Sequence, residues 1–185
     1  MEANKALGGV GALLMVIGPI SGAYTGVLGL VGLILVLIAL KRLSGYYNAK
    51  GIFDNALYGV IAAIIGVVVF VAGIVVAATG LLSDMGIAWD DWAGIKEIDM
   101  TWDIIEPHIA IIIGSLVALF AFVVVSAIFL RKSLTTLSTK TGVNMFGTAG
   151  LLMLIGAILT IIVIGFILIW VALILLTVAF FSIKT

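Results

Sequence analysis

Four long apolar blocks, separated by short polar segments whose charges are sorted by sign, constrain this chain more than any other feature. The blocks cover residues 6–40, 52–82, 108–130 and 143–183, and Asp54 is the only Asp, Glu, Lys or Arg within them. The chain is 64% hydrophobic and 10% charged, whereas a soluble domain carries about 25% charged residues. Because so few charges cannot cover a solvated surface, the sequence predicts a single all-α membrane domain over residues 1–185.

The lengths of the blocks set the number of membrane spans. About 20 helical residues cross the roughly 30 Å of hydrocarbon in a bilayer, so the first and last blocks are each long enough for two helices. Pro19, Ser21, Gly22 and Gly26 supply turn residues in the first block, and Gly165 is the breaker in the last. We predict a polytopic α-helical membrane protein with six transmembrane helices, near residues 5–20, 23–41, 53–80, 107–130, 143–161 and 163–182. Four spans, with long or re-entrant terminal segments, are the alternative.

The sorted charges predict the orientation. Basic loops stay on the cytoplasmic side of a membrane, and with six helices eight of the nine Lys and Arg residues fall on one side. We expect a multi-pass protein of the cell membrane with both termini and the loops at 42–52 and 131–142 cytoplasmic, and with the segment 84–106 outside. A first membrane helix suits the N-terminal block better than a secretory signal peptide, because Glu2 interrupts the positive start that a signal peptide carries.

Small residues recur on one face of the third predicted helix. Seven positions share this face, namely Gly59, Ala63, Gly66, Phe70, Gly73, Ala77 and Gly80. All of them except Phe70 are small. In lipid no hydrophobic effect drives helices together, so association depends on close backbone contact across small side chains. The seven-residue recurrence of the glycines predicts a helix-packing seam, within the chain or between copies of it, although glycine is also frequent in membrane helices generally.

Seven of the nine acidic residues and three of the four tryptophans crowd into the segment 84–106. Five of its residues follow a helical spacing, namely Trp92, Ile95, Ile98, Trp102 and Ile105. This spacing predicts an amphipathic helix in the outer interface of the membrane, with its tryptophans at headgroup depth. The predicted interfacial acidic segment centres on Trp89, Asp90, Asp91, Trp92, Trp102 and Asp103. A solvated loop that fixes the topology is the simplest interpretation, and recruitment of cations or of a basic partner is the other.

His108 is the only histidine, and it follows Glu106 and Pro107 at the start of the fourth predicted helix. A pair of Glu106 and His108 at a membrane edge would titrate near neutral pH, but an interfacial polar residue is the simpler interpretation. The chain lacks cysteine, and no ionisable side chain falls at mid-membrane depth. Because proton relays, metal sites and intramembrane catalysis depend on such residues, we expect no enzyme activity, no cofactor and no metal site. Without a basic patch we also expect no nucleic-acid partner.

Two internal echoes relate parts of the chain. The six residues 13–18 are echoed by 151–156, and with one deletion Gly26 then falls on Gly165. A second echo, with an offset of 90 residues, places the segment 40–42 on 130–132. Both echoes involve the fifth predicted helix, so they cannot both describe one simple duplication.

Three stretches of the chain carry a family resemblance: the glycine-rich start at 7–20, the basic-aromatic stretch at 32–61 with Tyr46 and Tyr47, and the ending at 164–185 with Phe180 and Phe181. They resemble a family of small archaeal integral membrane proteins known only as a domain of unknown function. The resemblance implies an archaeal plasma membrane protein of about this size. It implies no activity and no functional residues.

These observations favour a non-enzymatic integral membrane protein, a structural or accessory subunit that assembles through small-residue helix seams. Its expected partners are the lipid bilayer and either further copies of the chain or other subunits of a membrane complex. The alternative is a passive channel or transporter for neutral or apolar small molecules, which would need a lumen lined by hydroxyl groups such as those of Ser115, Ser126 and Thr160.

Overall fold

The computed structural model describes residues 2–22, 25–86 and 101–184. Within these ranges the chain forms six α-helices: α1 (Glu2–Ile17), α2 (Thr25–Tyr46), α3 (Gly51–Asp84), α4 (Trp102–Thr141), α5 (Asn144–Leu159) and α6 (Ile164–Phe181). Short 3-10 turns, Gly18–Ile20 and Thr160–Ile162, extend α1 and α5. Each helix, with its extension, is long and apolar enough to cross a membrane. The prediction of six apolar helices is confirmed.

The large exposed apolar surface of the helices indicates that lipid surrounds them. Within the most apolar stretch of each helix, between 11% and 28% of the residues are buried. Soluble monomers rarely expose contiguous apolar surface on this scale. The protein is therefore a helical membrane protein whose outer faces contact hydrocarbon.

The predicted helix ends were wrong at the basic loops and at the start of the fourth helix. Residues 131–141 are the last turns of α4, because Leu134 and Leu137 are buried there while the charged side chains of Arg131, Lys132 and Lys140 remain exposed. Similarly, α2 continues to Tyr46 and α3 begins at Gly51, so the loop at 42–52 shrinks to four residues. At its other end α4 begins at Trp102 and includes Pro107. The missing N–H of a proline so near an exposed helix start costs little, because water can reach the freed carbonyl group.

The chain divides into two compact units, and α3 and α4 run through both of them. The first unit comprises residues 1–61 and 124–185, and it contains all of α1, α2, α5 and α6. Its core collects fully buried side chains from all six helices, and the largest of them are Leu43, Ile52, Leu137, Phe146 and Phe180. The rings of Phe146 and Phe180 meet edge to face, with 5.1 Å between their centroids.

Glycines set the closest helix contacts of the first unit. A Cβ atom at Gly32 would lie 2.5 Å from the carbonyl oxygen of Gly11, which joins α1 to α2. In the same way a Cβ atom at Gly156 would lie 2.9 Å from the carbonyl oxygen of Gly165, which joins α5 to α6. In the α5–α6 turn the chain reverses direction at Val163, which has a positive φ of 63°. Gly165 instead allows the backbones of α5 and α6 to approach each other closely.

The two turns that join α2 to α3 and α4 to α5 share one geometry at an offset of 94 residues. Ser44 and Ser138 each donate a hydrogen bond of 3.0 Å to the carbonyl oxygen five residues later. Asn48 and Gly142 each take a positive φ, of 48° and 72°. The buried pairs Leu40 and Leu134, Leu43 and Leu137, and Ile52 and Phe146 follow the same offset. The structural repeat is therefore offset by 94 residues, whereas the echo of the basic residues suggested 90.

The second unit comprises residues 62–123, and its described helices are the last two thirds of α3 and the first half of α4. The two helix segments contact each other along one face. Their remaining faces expose mainly valine and isoleucine side chains.

Candidate functional site

The glycine face of α3 lies against α4 of the same chain. Within the second unit, a Cβ atom at Gly66 would lie 2.6 Å from Cβ of Phe122, and one at Gly73 would lie 2.8 Å from Oγ of Ser115. At Gly80 the same construction gives 2.7 Å to Cε1 of His108. Real Cβ atoms essentially never approach other atoms within 3.0 Å, so any larger residue at these positions requires the helices to shift.

The contact pattern has a constant register. Each step of seven residues along α3, from 66 to 73 to 80, corresponds to a step of seven backwards along α4, from 122 to 115 to 108. A contact that repeats every seven residues keeps the same faces together along two antiparallel helices. The matching residues of α4 are Phe122, Ser115 and His108, which differ in size and polarity. The residue types on α4 therefore do not predict this contact. Only the seven-residue spacing could have identified these residues.

The other members of the predicted seam occupy the same face of α3. Ala77 is 2% exposed, and Ala63 and Phe70 are half-buried. Gly59 belongs to the first unit, where a Cβ atom would lie 3.0 Å from the carbonyl oxygen of Ser126 and 3.1 Å from Cγ of Leu130. The sequence could not identify the helix that meets this face, and the structure places α4 there.

A hydrogen-bonded pair of side chains, His108 and Asp84, lies at the end of this contact. Nε2 of His108 is 2.9 Å from Oδ2 of Asp84. His108 is 7% exposed, whereas the carboxyl group of Asp84 is largely exposed, and Nδ1 of His108 has no hydrogen-bond partner among the described residues. The partner of His108 is therefore Asp84 and not Glu106, the partner considered as the alternative to a simple interfacial residue. Asp84 takes that place because the last turn of α3 passes the first turns of α4.

Most of the predicted interfacial acidic segment lies outside the described residues. Trp89, Asp90, Asp91 and Trp92 fall there, as do Ile95 and Ile98. The described members, Trp102 and Asp103, form the first turn of α4, and the side chain of Trp102 is 65% exposed. A negative charge such as that of Asp103 is favourable beside the free N–H groups at a helix start.

The hydroxyl groups of the proposed lumen are engaged within their own helices or in contacts between helices. Ser115 donates to the carbonyl oxygen of Ile112 at 2.8 Å, and Thr160 donates to that of Ala157 at 2.7 Å. Ser126 is buried at 6% exposure against the α3 face at Gly59. These groups therefore have the arrangement of packed helix residues. Among the described residues, no group of three or more His, Cys, Asp or Glu could hold a metal ion.

Comparison with known proteins places the chain among proteins of unknown function. Residues 28–174 match a family described as "Protein of unknown function (DUF996)". The chain is also 32% identical to the "Uncharacterized protein MJ1644" of Methanocaldococcus jannaschii, over 98% of this chain and 92% of that protein. No solved structure matches the chain significantly.

Proposed function

The chain belongs to the DUF996 family of proteins of unknown function, and from this premise we propose that it is a non-enzymatic structural or accessory subunit of a membrane complex. The premise fixes no activity, so the proposal depends on which surfaces of the helices are already in use. The glycine face of α3 contacts α4 of the same chain, and assembly must therefore use another face.

One observation carries the proposal: α3 presents a row of exposed β-branched side chains opposite its glycine face. Successive residues of an α-helix are rotated by about 100°, which places Ile64, Val68, Val71 and Val75 on the side away from Gly66. These four side chains are between 51% and 60% exposed. Valine and isoleucine are held in one rotamer by the helix itself, so their packing against a partner helix loses little side-chain entropy. Such a face suits a second copy of the chain or another membrane subunit.

The orientation completes the proposal. We place both termini and the turns that join α2 to α3 and α4 to α5 in the cytoplasm of the cell and the acidic segment outside, because basic residues near the ends of spans are retained inside. No nucleic-acid partner belongs to this proposal. A role in catalysis is not part of it either, since the hydroxyl groups of Ser115, Thr160 and Thr177 donate to carbonyl oxygens three or four residues earlier in the chain.

Cross-linking in native membranes tests the proposal. The natural chain has no cysteine, so Val68→Cys or Val75→Cys provides a single thiol on the exposed face. With a membrane-permeant bismaleimide we expect an adduct of discrete mass, containing either two copies of this chain or one copy and another protein. Ile161→Cys, at an exposed site in the α5–α6 turn, is the matched control for random collision. Adducts no stronger at Val68 and Val75 than at Ile161 would refute the proposed assembly face.

A further inference from the structure

A cavity of about 600 Å³ opens in the first unit where α3, α4 and α5 meet. Its volume lies within the range of about 300–1,000 Å³ that is typical of ligand sites. Its polar lining residues include Asn55, Arg131, Lys132 and Thr135, and its apolar lining residues are Ile128 and Leu154.

The cations of this cavity have no acidic partner. Among the described residues, neither Arg131 nor Lys132 forms an ion pair, and no carboxylate lines the cavity. Asp54, the sequence neighbour of Asn55, is exposed and lies outside the lining. The only described interaction of the Lys132 ammonium group is with the ring of Phe129, 5.6 Å from its centroid. Two adjacent cations without a counter-charge attract an anion.

Neutral hydrogen-bonding groups accompany the cations. The hydroxyl group of Thr135 has no described partner, and the amide nitrogen of Asn55 uses one of its two hydrogens in a bond of 2.8 Å to the carbonyl oxygen of Gly51. A ligand with several acceptor oxygens around one centre could therefore receive bonds from α3 and α4 together. A phosphate group has this arrangement of oxygens.

The position of the cations along α5 suits the boundary between headgroups and hydrocarbon. A Cβ atom at Gly150 would lie 3.2 Å from Cα of Arg131, so Arg131 is level with the seventh residue of α5. That level is about 9 Å along the helix from its start at Asn144. The polar layer on each side of a bilayer is about 5–8 Å thick, and long basic side chains reach back into it from the hydrocarbon edge.

Apolar side chains line the deeper part of the cavity. Ile128 lies almost one helical turn from Arg131, towards the middle of α4, and Leu154 lies about one turn beyond Gly150 on α5. The order from the turn inwards is thus hydroxyl, cation and hydrocarbon. A phospholipid has the complementary order of an anionic headgroup followed by acyl chains.

We propose that this cavity binds an anionic phospholipid, with its phosphate at Arg131 and Lys132 and one hydrocarbon chain along Ile128 and Leu154. Basic pockets between membrane helices are suited to anionic lipid headgroups. The lipid also supplies the counter-charge that the protein lacks at this level.

The test measures lipid binding to the intact, detergent-solubilised protein. Phosphatidylglycerol is titrated as the anionic probe, phosphatidylcholine as the neutral one, and inorganic phosphate as the anion without chains. We expect the double variant R131Q/K132Q to bind phosphatidylglycerol about 25-fold more weakly, because each cation near an anionic lipid contributes about 1 kcal/mol and a factor of ten corresponds to about 1.4 kcal/mol.

The chain offers a matched control. K41Q/R42Q removes the same two charges from exposed positions on α2 that lie outside the cavity lining, and it should retain phosphatidylglycerol affinity within about twofold. An equal loss in both double variants would overturn the proposal, because the effect would then reflect net charge alone. Displacement of the lipid by millimolar inorganic phosphate would also overturn it, in favour of a site for the free anion.

A second variant keeps both charges. Leu154→Trp fills the apolar part of the cavity, so phosphatidylglycerol should bind more weakly while the cations remain in place. Leu154→Trp still tests lipid binding at this cavity if R131Q/K132Q fails to fold. Unchanged binding of phosphatidylglycerol by Leu154→Trp would contradict the proposed path of the hydrocarbon chain.

Discussion

Two added methyl groups on the glycine face of α3 should open its contact with α4. The double variant Gly66→Ala and Gly73→Ala places a Cβ atom 2.6 Å from Phe122 and another 2.8 Å from the Oγ atom of Ser115. Ordinary contact begins at 3.4 Å, so Gly66 falls short by roughly 0.8 Å, and Gly73 by more, because Cβ of Ser115 is nearer to it than Oγ. Neither contact is with the far end of a flexible chain, since the Cβ atoms of Phe122 and Ser115 move only with the backbone of α4.

The size of the effect follows from this overlap. Overpacking a close contact costs about 1–3 kcal/mol per site, and sites seven residues apart are separated by about 10 Å along the helix, where effects add. The higher helix propensity of alanine contributes little, because helices in membranes remain helical when they separate. We therefore expect the pair of substitutions to destabilise the α3–α4 contact by about 2–6 kcal/mol.

Thiol labelling measures this opening directly. Ala77→Cys places a reporter at a site that is 2% exposed on the same face of α3, and its labelling rate in the folded protein rises as the contact opens. The double variant should label about 30-fold faster or more, since 1.4 kcal/mol corresponds to a factor of ten. Gly114→Ala on α4, where no atom lies within 4 Å of the added methyl group, should leave the rate unchanged. An unchanged rate in the double variant, or an equal rise with Gly114→Ala, would show that Gly66 and Gly73 do not set the contact between α3 and α4.

Two further predictions concern orientation and pH. Single cysteines in place of Tyr46 and Thr139 should be labelled by an impermeant reagent from the cytoplasmic side, and one in place of Thr101 should be labelled from the outside. Labelling of all three from one side would contradict the proposed topology. Burial, with a smaller contribution from Tyr46, raises the pKa of Tyr47 above its ordinary value of 10.0. The neutral phenol then stabilises the folded state below about pH 10, and this contribution is lost as the pH rises through the folded-state pKa. Tyr47→Phe should therefore reduce the alkaline loss of thermal stability more than Tyr58→Phe, and equal effects would contradict this assignment.

The number of helices could be predicted from the sequence because block length and charge are both local properties. Two short helices per terminal block follow from hydrocarbon thickness, and Pro19 lies within the 3-10 turn that ends the first of them. The reversal between α5 and α6 was harder to locate. It depends on a positive φ at Val163, a conformation that a β-branched residue rarely adopts, so composition gave no signal at this position.

The ends of the helices could not be predicted because charged residues do not by themselves end a helix. Arg131 and Lys132 remain exposed on α4 while Leu134 and Leu137 continue its buried face. The same distinction explains the internal repeat. Exposed basic residues suggested an offset of 90, whereas buried leucines and the two serine-bonded turns give 94. Buried positions preserve the register because packing restricts them, and exposed positions are free to drift.

The α3 face illustrates what a single helix can reveal. Its glycine spacing predicted close packing, and that information resides in α3 alone. The facing residues Phe122, Ser115 and His108 share nothing but their spacing of seven, so the partner became identifiable only when the antiparallel register was known. The pairing of His108 with Asp84 has the same origin, since it depends on how far α3 extends before it ends.

The most direct test of this account is a disulfide between α3 and α4. Gly66→Cys with Phe122→Cys places two thiols on positions whose Cβ atoms would be 2.6 Å apart before relaxation, and a relative shift of the two helices by about 1.2 Å reaches the usual Cβ separation of about 3.8 Å. On mild oxidation in membranes we predict an intramolecular disulfide, seen as a monomer with altered mobility that reverts on reduction. Disulfide-linked dimers, or thiols that stay free, would show that this glycine face does not meet α4 of its own chain.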